Sequence, residues 1–191
     1  MEPKLDLLRR SFEDAPVVRR GEYDYFIHPL SDSIPPMKPE LVREVCQAIL
    51  DVGDFSDVDL IITVEAMGIH IGAVLSQMTG LPFYIVRKRQ YWMPGEIILD
   101  QSTGYSKGKL YINGLNSGMK VLVVDAVIST GGTYVAILNA LKDLGVKVKD
   151  IVAVIERGDG VAEVKEKTGI KVKTLIKIEV EEGKVKIIPS E

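Results

Sequence analysis

Two short, continuous apolar segments constrain the fold of this chain more than any other feature. They are residues 58–64 (VDLIITV) and 120–124 (KVLVV). An unbroken apolar run of this length is typical of a strand covered on both faces, whereas a half-exposed strand alternates apolar and polar residues. Each run is followed along the chain by a helical pattern, over residues 68–78 and 134–144. This alternation predicts an α/β fold with a central, mainly parallel sheet flanked by helices.

The remaining pattern fits the same architecture within one domain. The chain has 191 residues and a domain typically has about 150, so residues 1–191 are predicted to form a single domain. Further helices are predicted over residues 4–14 and 41–50, and further strands over 21–29, 81–86, 150–155, 172–178 and 184–188, the last two as a hairpin. The periodicity weakens between residues 90 and 118, which are rich in Gly, Ser, Thr and Tyr. Such a long segment within a compact domain is typical of a mobile cover over a site.

Composition argues against several classes of function. Lys and Arg number 24 and Asp and Glu 27, for a net charge of −3, whereas nucleic-acid binding usually requires a clustered basic surface. Cys46 is the single cysteine and there are two histidines, so neither disulfides nor a Cys/His metal cage are expected. No apolar run approaches the ~20 residues that span a bilayer, and the charged N-terminal segment is unlike a signal peptide. We therefore expect a cytoplasmic enzyme or small-molecule binder, with neither nucleic acid nor membrane as a partner.

The most informative motif is VLVVDAVISTGGT, at residues 121–133. A strand is predicted to end at Asp125, and five small residues follow where a helix begins. These are Ser129, Thr130, Gly131, Gly132 and Thr133. Open α/β sheets bind ligands beyond the carboxyl ends of their strands, and the free N–H groups at a helix start favour anions. The five residues are therefore predicted to hold a phosphate monoester, with Asp125 beside them as an acceptor for hydroxyl groups.

Other interpretations of this motif agree less well with its residues. Neither the Gly-Lys-Ser/Thr of a Walker A loop nor the G-x-G-x-x-G of a dinucleotide fingerprint is present. Ser129 and Thr130 could cap a helix, but capping alone does not require five consecutive small residues after a strand-end aspartate.

The motif closely resembles the 5-phosphoribosyl 1-pyrophosphate (PRPP) motif of the type I phosphoribosyltransferases, in which a strand runs into two acidic residues, a loop and Thr-Gly-Gly-Thr. Further segments resemble this family in the same order along the chain. They are Glu65-Ala66-Met67-Gly68, Arg87-Lys88, Pro94-Gly95-Glu96 and Thr103-Gly104-Tyr105-Ser106-Lys107-Gly108. Together with Gly21-Glu22-Tyr23 and residues 155–160 (IERGDG), they are most similar to the archaeal-type hypoxanthine/guanine phosphoribosyltransferases. The xanthine and adenine enzymes are more distantly similar.

This resemblance implies the type I fold and an enzyme of purine salvage. Such a pentosyltransferase transfers the 5-phosphoribosyl group of PRPP to hypoxanthine or guanine, giving IMP or GMP and pyrophosphate. The resemblance also implies a homodimer, a hood formed by about residues 15–37 and 156–191, and a flexible catalytic loop over about 90–113. A Mg²⁺ cofactor is implied near Asp125, held indirectly through PRPP.

The same resemblance assigns roles to individual residues. Pyrophosphate contacts are implied for Glu65, Ala66, Met67, Gly68, Arg87 and Lys88. Catalytic contributions are implied for Arg87, Lys88, Tyr105, Ser106, Lys107 and Asp125. Base contacts are implied for Leu30, Ile128 and Arg157.

Ala126 departs from the family pattern, because it stands where the second acidic residue is expected. A charged hydrogen bond is worth about 1.5–3 kcal/mol, so the substitution predicts a transferase weakened by about one to two decades. It also leaves open a PRPP-binding regulatory protein with little turnover. A transferase for adenine or xanthine is a further alternative, although Thr103 and Gly104 precede Tyr105 where adenine enzymes carry a Glu. Ser129 stands where some oxopurine enzymes carry an Asp, so the acceptor for the base proton stays unassigned.

Overall fold

A computed structural model of the chain describes residues 3–21, 23–102 and 107–189, with the backbone alone for Ser102 and Lys107. In chain order, its elements are α1 (Asp6–Arg10), β1 (Val17–Arg20), β2 (Tyr23–Phe26), α2 (Pro29–Asp32), α3 (Pro39–Val52), β3 (Leu60–Val64), α4 (Ile69–Thr79), β4 (Phe83–Val86), β5 (Ile97–Ser102), β6 (Lys107–Ile112), β7 (Lys120–Ile128), α5 (Gly132–Asp143), β8 (Lys147–Arg157), α6 (Gly160–Thr168), β9 (Lys173–Glu181) and β10 (Lys184–Ile188). None of the described helices is both long enough and apolar enough to cross a membrane.

Six strands form the central sheet, in the spatial order β10-β9-β8-β7-β3-β4. All neighbouring pairs are parallel except β10 and β9, which pair antiparallel at one edge. Helices pack on both faces, and β3 and β7 are therefore almost entirely buried. The predicted α/β fold with a mainly parallel sheet is confirmed. The two apolar runs of the sequence form strands that are covered on both faces, as predicted.

Alternate side chains of β7 face opposite layers of the molecule. Leu122 and Val124 belong to a buried cluster with α1, α3 and α4, whereas Val121 and Val123 belong to a second cluster with α5 and α6. This period of two is what a strand between two helical layers requires. It also decides which side chains of β7 reach the site at its carboxyl end.

The segment of weak periodicity contains two strands, Ile97–Ser102 and Lys107–Ile112, with irregular residues before and after them. β5 and β6 form an antiparallel hairpin. Backbone hydrogen bonds of 3.1 and 2.8 Å between Arg87 and Tyr111 attach this hairpin beside the end of β4. Polar residues and a glycine interrupt the apolar alternation of both strands, which is why the sequence pattern did not indicate them.

The C-terminal residues also differ from the prediction. The segment assigned to the C-terminal part of a hood is continuous with the central sheet, because β9 pairs in parallel with β8 and β10 completes the edge. The sequence analysis missed α6, because its buried residues are only Gly160 and Val164 and the rest of the helix is largely charged. β1, β2 and α2 lie outside the central sheet, within the predicted N-terminal part of the hood.

His28 connects α2 and the β1–β2 hairpin to the segment that follows α1, through a hydrogen bond and a ring contact. Its ring is buried and stacks on Phe12, with ring centroids 4.3 Å apart. Nδ1 accepts a hydrogen bond from the Leu30 N–H at 3.2 Å, so Nε2 carries the proton and donates to Ser11 Oγ at 2.7 Å. Burial lowers the pKa of His28 to about 4, against the opposing charge of Asp32. The ring is therefore neutral at physiological pH.

Candidate active site

A cavity of about 150 Å³ opens at the carboxyl ends of β3 and β7. Its walls come from the 65–68 loop after β3, from residues 129–133, and from aromatic residues of β2. Residues 129–133, here called the 129–133 loop, connect β7 to α5 and include the first two residues of that helix. The carboxyl ends of parallel strands are where open α/β sheets bind ligands. The cavity therefore lies where the sequence motif predicts a site.

The 129–133 loop leads directly into α5. Its cavity-lining residues are Ser129, Thr130, Gly131 and Thr133, and Gly132 begins the helix. Gly131, the N-cap, has a φ of +76°, and a Cβ there would lie 2.7 Å from the carbonyl oxygen of Gly160. Both the backbone conformation and the contact with α6 thus require glycine. Within the described residues no side chain caps α5, which leaves the first N–H groups of the helix available to an anion.

Glu65 joins the 65–68 loop to the end of β4. Its carboxylate accepts a hydrogen bond from the Lys88 N–H at 2.9 Å and forms an ion pair with Arg87 Nε at 3.2 Å. The Glu65–Ala66 peptide is cis. Glu65, Ala66, Met67 and Lys88 line the cavity, whereas Arg87 does not. Lys88, which follows β4, is therefore the cation presented to a ligand beside the 65–68 loop.

Gly68 allows the 65–68 loop to approach the sheet closely. A Cβ at this position would lie 1.9 Å from Thr63 Oγ1 and 2.9 Å from Asp125 Oδ1. The first distance is far shorter than any contact that a side chain tolerates, so the loop can take this course only with glycine here.

Asp125 lies between the two loops. It lines the cavity, is only 9% exposed, and accepts a hydrogen bond from the Ala126 N–H at 2.8 Å. Burial raises the pKa of Asp125 to about 7, although that hydrogen bond and the charge of Lys88 act in the opposite direction. The Tyr134 hydroxyl on the same wall is buried without a partner among the described residues, and its pKa is raised well above its ordinary value by burial and by Asp125. Asp125 is thus a buried acceptor that titrates near neutrality.

Ala126, at the position of the missing second acid, faces away from the cavity. It is fully buried and belongs to the apolar cluster of Val124, together with Phe26 and Leu30. This follows from the alternation of side chains along β7, because Asp125 already occupies the face turned to the two loops. A carboxylate at position 126 would be placed among apolar side chains.

Tyr23, Tyr25 and Phe26 of β2 form an aromatic wall of the cavity. The Tyr23 hydroxyl lies 3.2 Å from Ser129 Oγ, and the Tyr25 hydroxyl donates to Asp32 at 2.7 Å. A wall of this kind suits a flat heterocycle, which can stack on the rings. The resemblance placed these residues within the predicted hood, but the sequence analysis did not name any of them as a ligand contact. Their alternation indicated a strand, but it could not indicate that the strand meets the 129–133 loop.

The residues implied for base contacts are divided between the core and a neighbouring cleft. Leu30 and Ile128 are each 1% exposed, belong to the two apolar clusters and do not line the cavity. Their burial among other apolar side chains leaves no surface for a ligand. Arg157 borders the adjacent cleft, and its guanidinium stacks on the Tyr23 ring, 4.2 Å from the centroid. Arg157 therefore lies behind the aromatic wall.

The residues implied for the flexible loop can be located only in part. Tyr105 and Ser106 lie outside the described residues, and Lys107 begins β6 with only its backbone described. A residue that the sequence analysis did not single out, Gln101 of β5, lines the cavity. Its Nε2 donates a hydrogen bond to Thr133 Oγ1 at 3.1 Å. The β5–β6 hairpin thus contacts the 129–133 loop directly.

The acidic residues of the cavity are compatible with a magnesium ion that arrives with a substrate. In the described part of the chain, no group of three or more His, Cys, Asp or Glu could hold a metal ion. Of the carboxylates lining the cavity, Glu65 is engaged by Arg87 and Lys88, which leaves Asp125. Mg²⁺ keeps several waters and is usually held by substrate phosphates and one or two carboxylates. This donor set fits such an ion.

Comparisons with known proteins agree with this geometry. A model of the phosphoribosyl transferase domain matches residues 39–186. The chain is 57% identical, over 94% of its length and 98% of the relative, to a hypoxanthine/guanine phosphoribosyltransferase of Methanocaldococcus infernus. It is 54% identical, over 95% of its length and 100% of the relative, to one of Methanocaldococcus jannaschii. The solved adenine phosphoribosyltransferase of Thermoanaerobacter pseudethanolicus shares the fold, with a TM-score of 0.73, 22% identity, and coverage of 91% of this chain and 99% of that one.

Proposed function

The chain belongs to the phosphoribosyl transferase domain family, and from this premise we propose that it transfers the 5-phosphoribosyl group of PRPP to hypoxanthine or guanine. The products are IMP or GMP and pyrophosphate. The observation that carries the proposal is the position of Asp125 between two loops that suit anions, since PRPP has a phosphate and a pyrophosphate separated by ribose hydroxyls. Identities of 57% and 54% to proteins named for these two bases support the choice of base, and they leave less support for adenine.

In this proposal the 129–133 loop anchors the 5-phosphate. The first N–H groups of α5 and the hydroxyls of Ser129, Thr130 and Thr133 donate to its oxygens. The loop contains no charged side chain, so it holds the phosphate through oriented donors and the positive end of the helix dipole.

The 65–68 loop and Lys88 hold the pyrophosphate. Negative charge grows on this leaving group as the bond to the anomeric carbon breaks, so a cation placed here stabilises the transition state more than the ground state. Arg87 supports the arrangement through Glu65, which also fixes the Lys88 backbone.

Asp125 accepts hydrogen bonds from the ribose hydroxyls. By analogy with glycosyl transfer in general, the sugar becomes oxocarbenium-like in the transition state, and an ionised carboxylate nearby stabilises its positive charge. Mg²⁺ bound with PRPP would offset the charge of the pyrophosphate, and Asp125 is the residue that would face it through the substrate. Since only the ionised carboxylate serves these roles, the pKa of Asp125 near 7 makes transfer sensitive to pH around neutrality.

The aromatic wall receives the base. Tyr23, Tyr25 and Phe26 offer ring faces on which a purine stacks, with Arg157 behind Tyr23. The β5–β6 hairpin also forms part of the cavity wall, through Gln101, and there restricts the access of water. Exclusion of water protects a reactive sugar cation from hydrolysis.

Ala126 does not weaken this proposal. Its side chain belongs to an apolar cluster, so the substitution removes no group from the cavity. We therefore expect a smaller deficit than the one to two decades that the family pattern alone predicts, and the reason for proposing a regulatory protein without turnover is removed. A homodimer and a cytoplasmic location stay predictions, from the family resemblance and the composition respectively.

The proposal is tested by pyrophosphate release from PRPP and Mg²⁺ in the presence of single bases. Release with hypoxanthine or guanine supports it, whereas release only with xanthine or adenine would replace the base. Binding of PRPP without release from any base would contradict the enzyme and restore the regulatory alternative.

A further inference from the structure

A side-chain contact links the β5–β6 hairpin to the proposed phosphate site. Gln101 of β5 and Thr133 of α5 are both half-buried, both line the cavity, and are joined by the 3.1 Å hydrogen bond from Nε2 to Oγ1. The residues are far apart in sequence, so only the docking of the hairpin brings them together. β5 also contacts α5 along its backbone.

The hairpin is held in register for this contact. At its base it is joined to the end of β4 through Arg87 and Tyr111, and the Tyr84 hydroxyl accepts a hydrogen bond from the Asn113 N–H at 2.7 Å. Opposite Gln101 in the ladder is Gly108. The space beside Gly108 is open, since even a Cβ there would lie 4.0 Å from its nearest neighbour, Gln101 Oε1.

The direction of the hydrogen bond determines what the Thr133 hydroxyl can do. A hydroxyl has one hydrogen to donate and two lone pairs that accept. When Gln101 Nε2 donates, it occupies a lone pair and leaves the Thr133 hydrogen free to point into the cavity. A phosphate oxygen there would accept that hydrogen, and the two bonds would strengthen one another. With the opposite orientation of the amide, Thr133 would donate to Gln101 and have no hydrogen left for a phosphate.

We propose that Gln101 is a positioning residue for the 5-phosphate, which it serves by orienting the Thr133 hydroxyl. The inference rests on the proposed function, because it assigns the phosphate to the 129–133 loop. Occupation of that loop then favours the docked hairpin, and the docked hairpin favours occupation of the loop, since such coupling is reciprocal. Docking of the β5–β6 hairpin is thereby coupled to binding of the 5-phosphate through the neutral amide of Gln101.

The first test compares the binding of two ligands by titration calorimetry. Ribose 5-phosphate requires the 129–133 loop, whereas pyrophosphate requires the 65–68 loop. Gln101→Leu should weaken ribose 5-phosphate about five-fold, as expected for partial loss of a hydrogen bond to a charged group, and should leave pyrophosphate within two-fold. Unchanged pyrophosphate binding also shows that the variant is folded. Unchanged or tighter binding of ribose 5-phosphate would overturn the inference, and tighter binding would indicate the opposite amide orientation.

A matched control is available on the same strand. Asp100 precedes Gln101, is exposed and pairs with Lys109 across the ladder. Asp100→Asn should leave the affinity for both ligands within two-fold. An equal loss of ribose 5-phosphate binding in this control would overturn the specific role of Gln101.

A double-mutant cycle with Thr133 separates orientation from an independent contact. In a Thr133→Val background, Gln101→Leu should cause no further loss of ribose 5-phosphate binding, because the hydroxyl that Gln101 orients is absent. Additive losses would overturn the inference. The failure of this inference can be distinguished from the failure of the proposed function. If the parent chain catalyses transfer but Gln101→Leu leaves ribose 5-phosphate binding unchanged, only this inference is refuted. If Gln101→Leu weakens ribose 5-phosphate binding but the parent chain releases no pyrophosphate with any base, only the proposed transfer is refuted.

Discussion

The two loops on either side of Asp125 are suited to anions by different physical means. The 129–133 loop offers backbone N–H groups and hydroxyls, and its glycine at 131 is packed against Gly160. The 65–68 loop depends on charge, because its Glu65 connects it to Arg87 and to the exposed Lys88 at the end of β4. A phosphate that remains bound throughout the reaction needs constant geometry, whereas a leaving group whose negative charge grows needs a full positive charge beside it. The difference between the loops matches the difference between the two ends of PRPP.

The largest expected effect concerns the face of β7 that is turned away from both loops. Ala126→Asp should lower the free energy of unfolding by about 4 kcal/mol at pH 8, because it buries a carboxylate among apolar side chains. Ala126→Ser, which adds a hydroxyl without a charge, should cost about 1 kcal/mol. Denaturant unfolding measures both. A stable Ala126→Asp variant with higher kcat/KM would show instead that position 126 reaches the cavity.

The next effect tests the loop built from backbone donors. Gly131→Ala should weaken ribose 5-phosphate about 100-fold and pyrophosphate less than three-fold, because the added Cβ meets the Gly160 carbonyl and the φ of +76° is unfavourable for alanine. Gly169 ends α6 with a φ of +74° and open space around it. Gly169→Ala therefore carries the conformational cost alone, about 1 kcal/mol of stability, and should leave both affinities unchanged. Equal losses for the two ligands in Gly131→Ala would remove the distinction between the loops.

The loop that depends on charge should respond in the opposite way. Lys88→Met should weaken pyrophosphate about 30-fold, the loss of one charge-assisted contact of about 2 kcal/mol, with less than a three-fold change for ribose 5-phosphate. Lys109→Met, at an exposed position of β6, is the control for a change in net charge. Titration calorimetry with both ligands measures these changes. Lys88→Met should weaken mainly pyrophosphate, whereas Gly131→Ala should weaken mainly ribose 5-phosphate.

The smallest expected effect belongs to the group between the loops. With a pKa of about 7 for Asp125, kcat/KM for PRPP should rise about ten-fold from pH 6 to pH 8, because only the ionised carboxylate is active. The Asp125→Asn variant should not show this rise. Any pH dependence that comes from titration of PRPP itself should be the same in the variant and the parent chain.

Stability should change with pH in the opposite sense to activity. The pKa of Asp125 is raised in the folded chain from an ordinary value of 3.8. Its contribution is therefore fully favourable below about pH 4 and is lost as the pH rises to about 7. Asp125→Asn should consequently be more stable than the parent chain at pH 8 but not at pH 4. The difference between the variant and the parent isolates Asp125, because the lowered pKa of His28 gives the parent chain an opposite pH dependence. A difference in stability that is the same at pH 4 and pH 8 would contradict the raised pKa.

What the sequence could predict depended on how local the signal was. Residues 129–133 and Asp125 were recognisable because a strand, a loop and a helix start follow one another along the chain, and the loop and its acid line one cavity as the motif predicted. The aromatic wall was predicted only as part of a hood and Gln101 was not predicted as a site residue, because their positions depend on hairpins that dock from elsewhere. Leu30 and Ile128 were implied as base contacts but are buried in the core. Similarity to a family indicates which segments lie near a site, but not whether a given side chain faces the ligand or the core.

The close contact between Gly131 and Gly160 has a consequence for the order of events in binding. Because α6 already occupies the space where a Cβ of residue 131 would lie, the 129–133 loop has little freedom to move. Its conformational entropy is therefore lost when the chain folds rather than when a ligand binds. We expect a substrate to engage this rigid cradle first by its phosphate. The pyrophosphate end of the bound substrate is then tethered near Lys88, so it meets this cation at a high effective concentration.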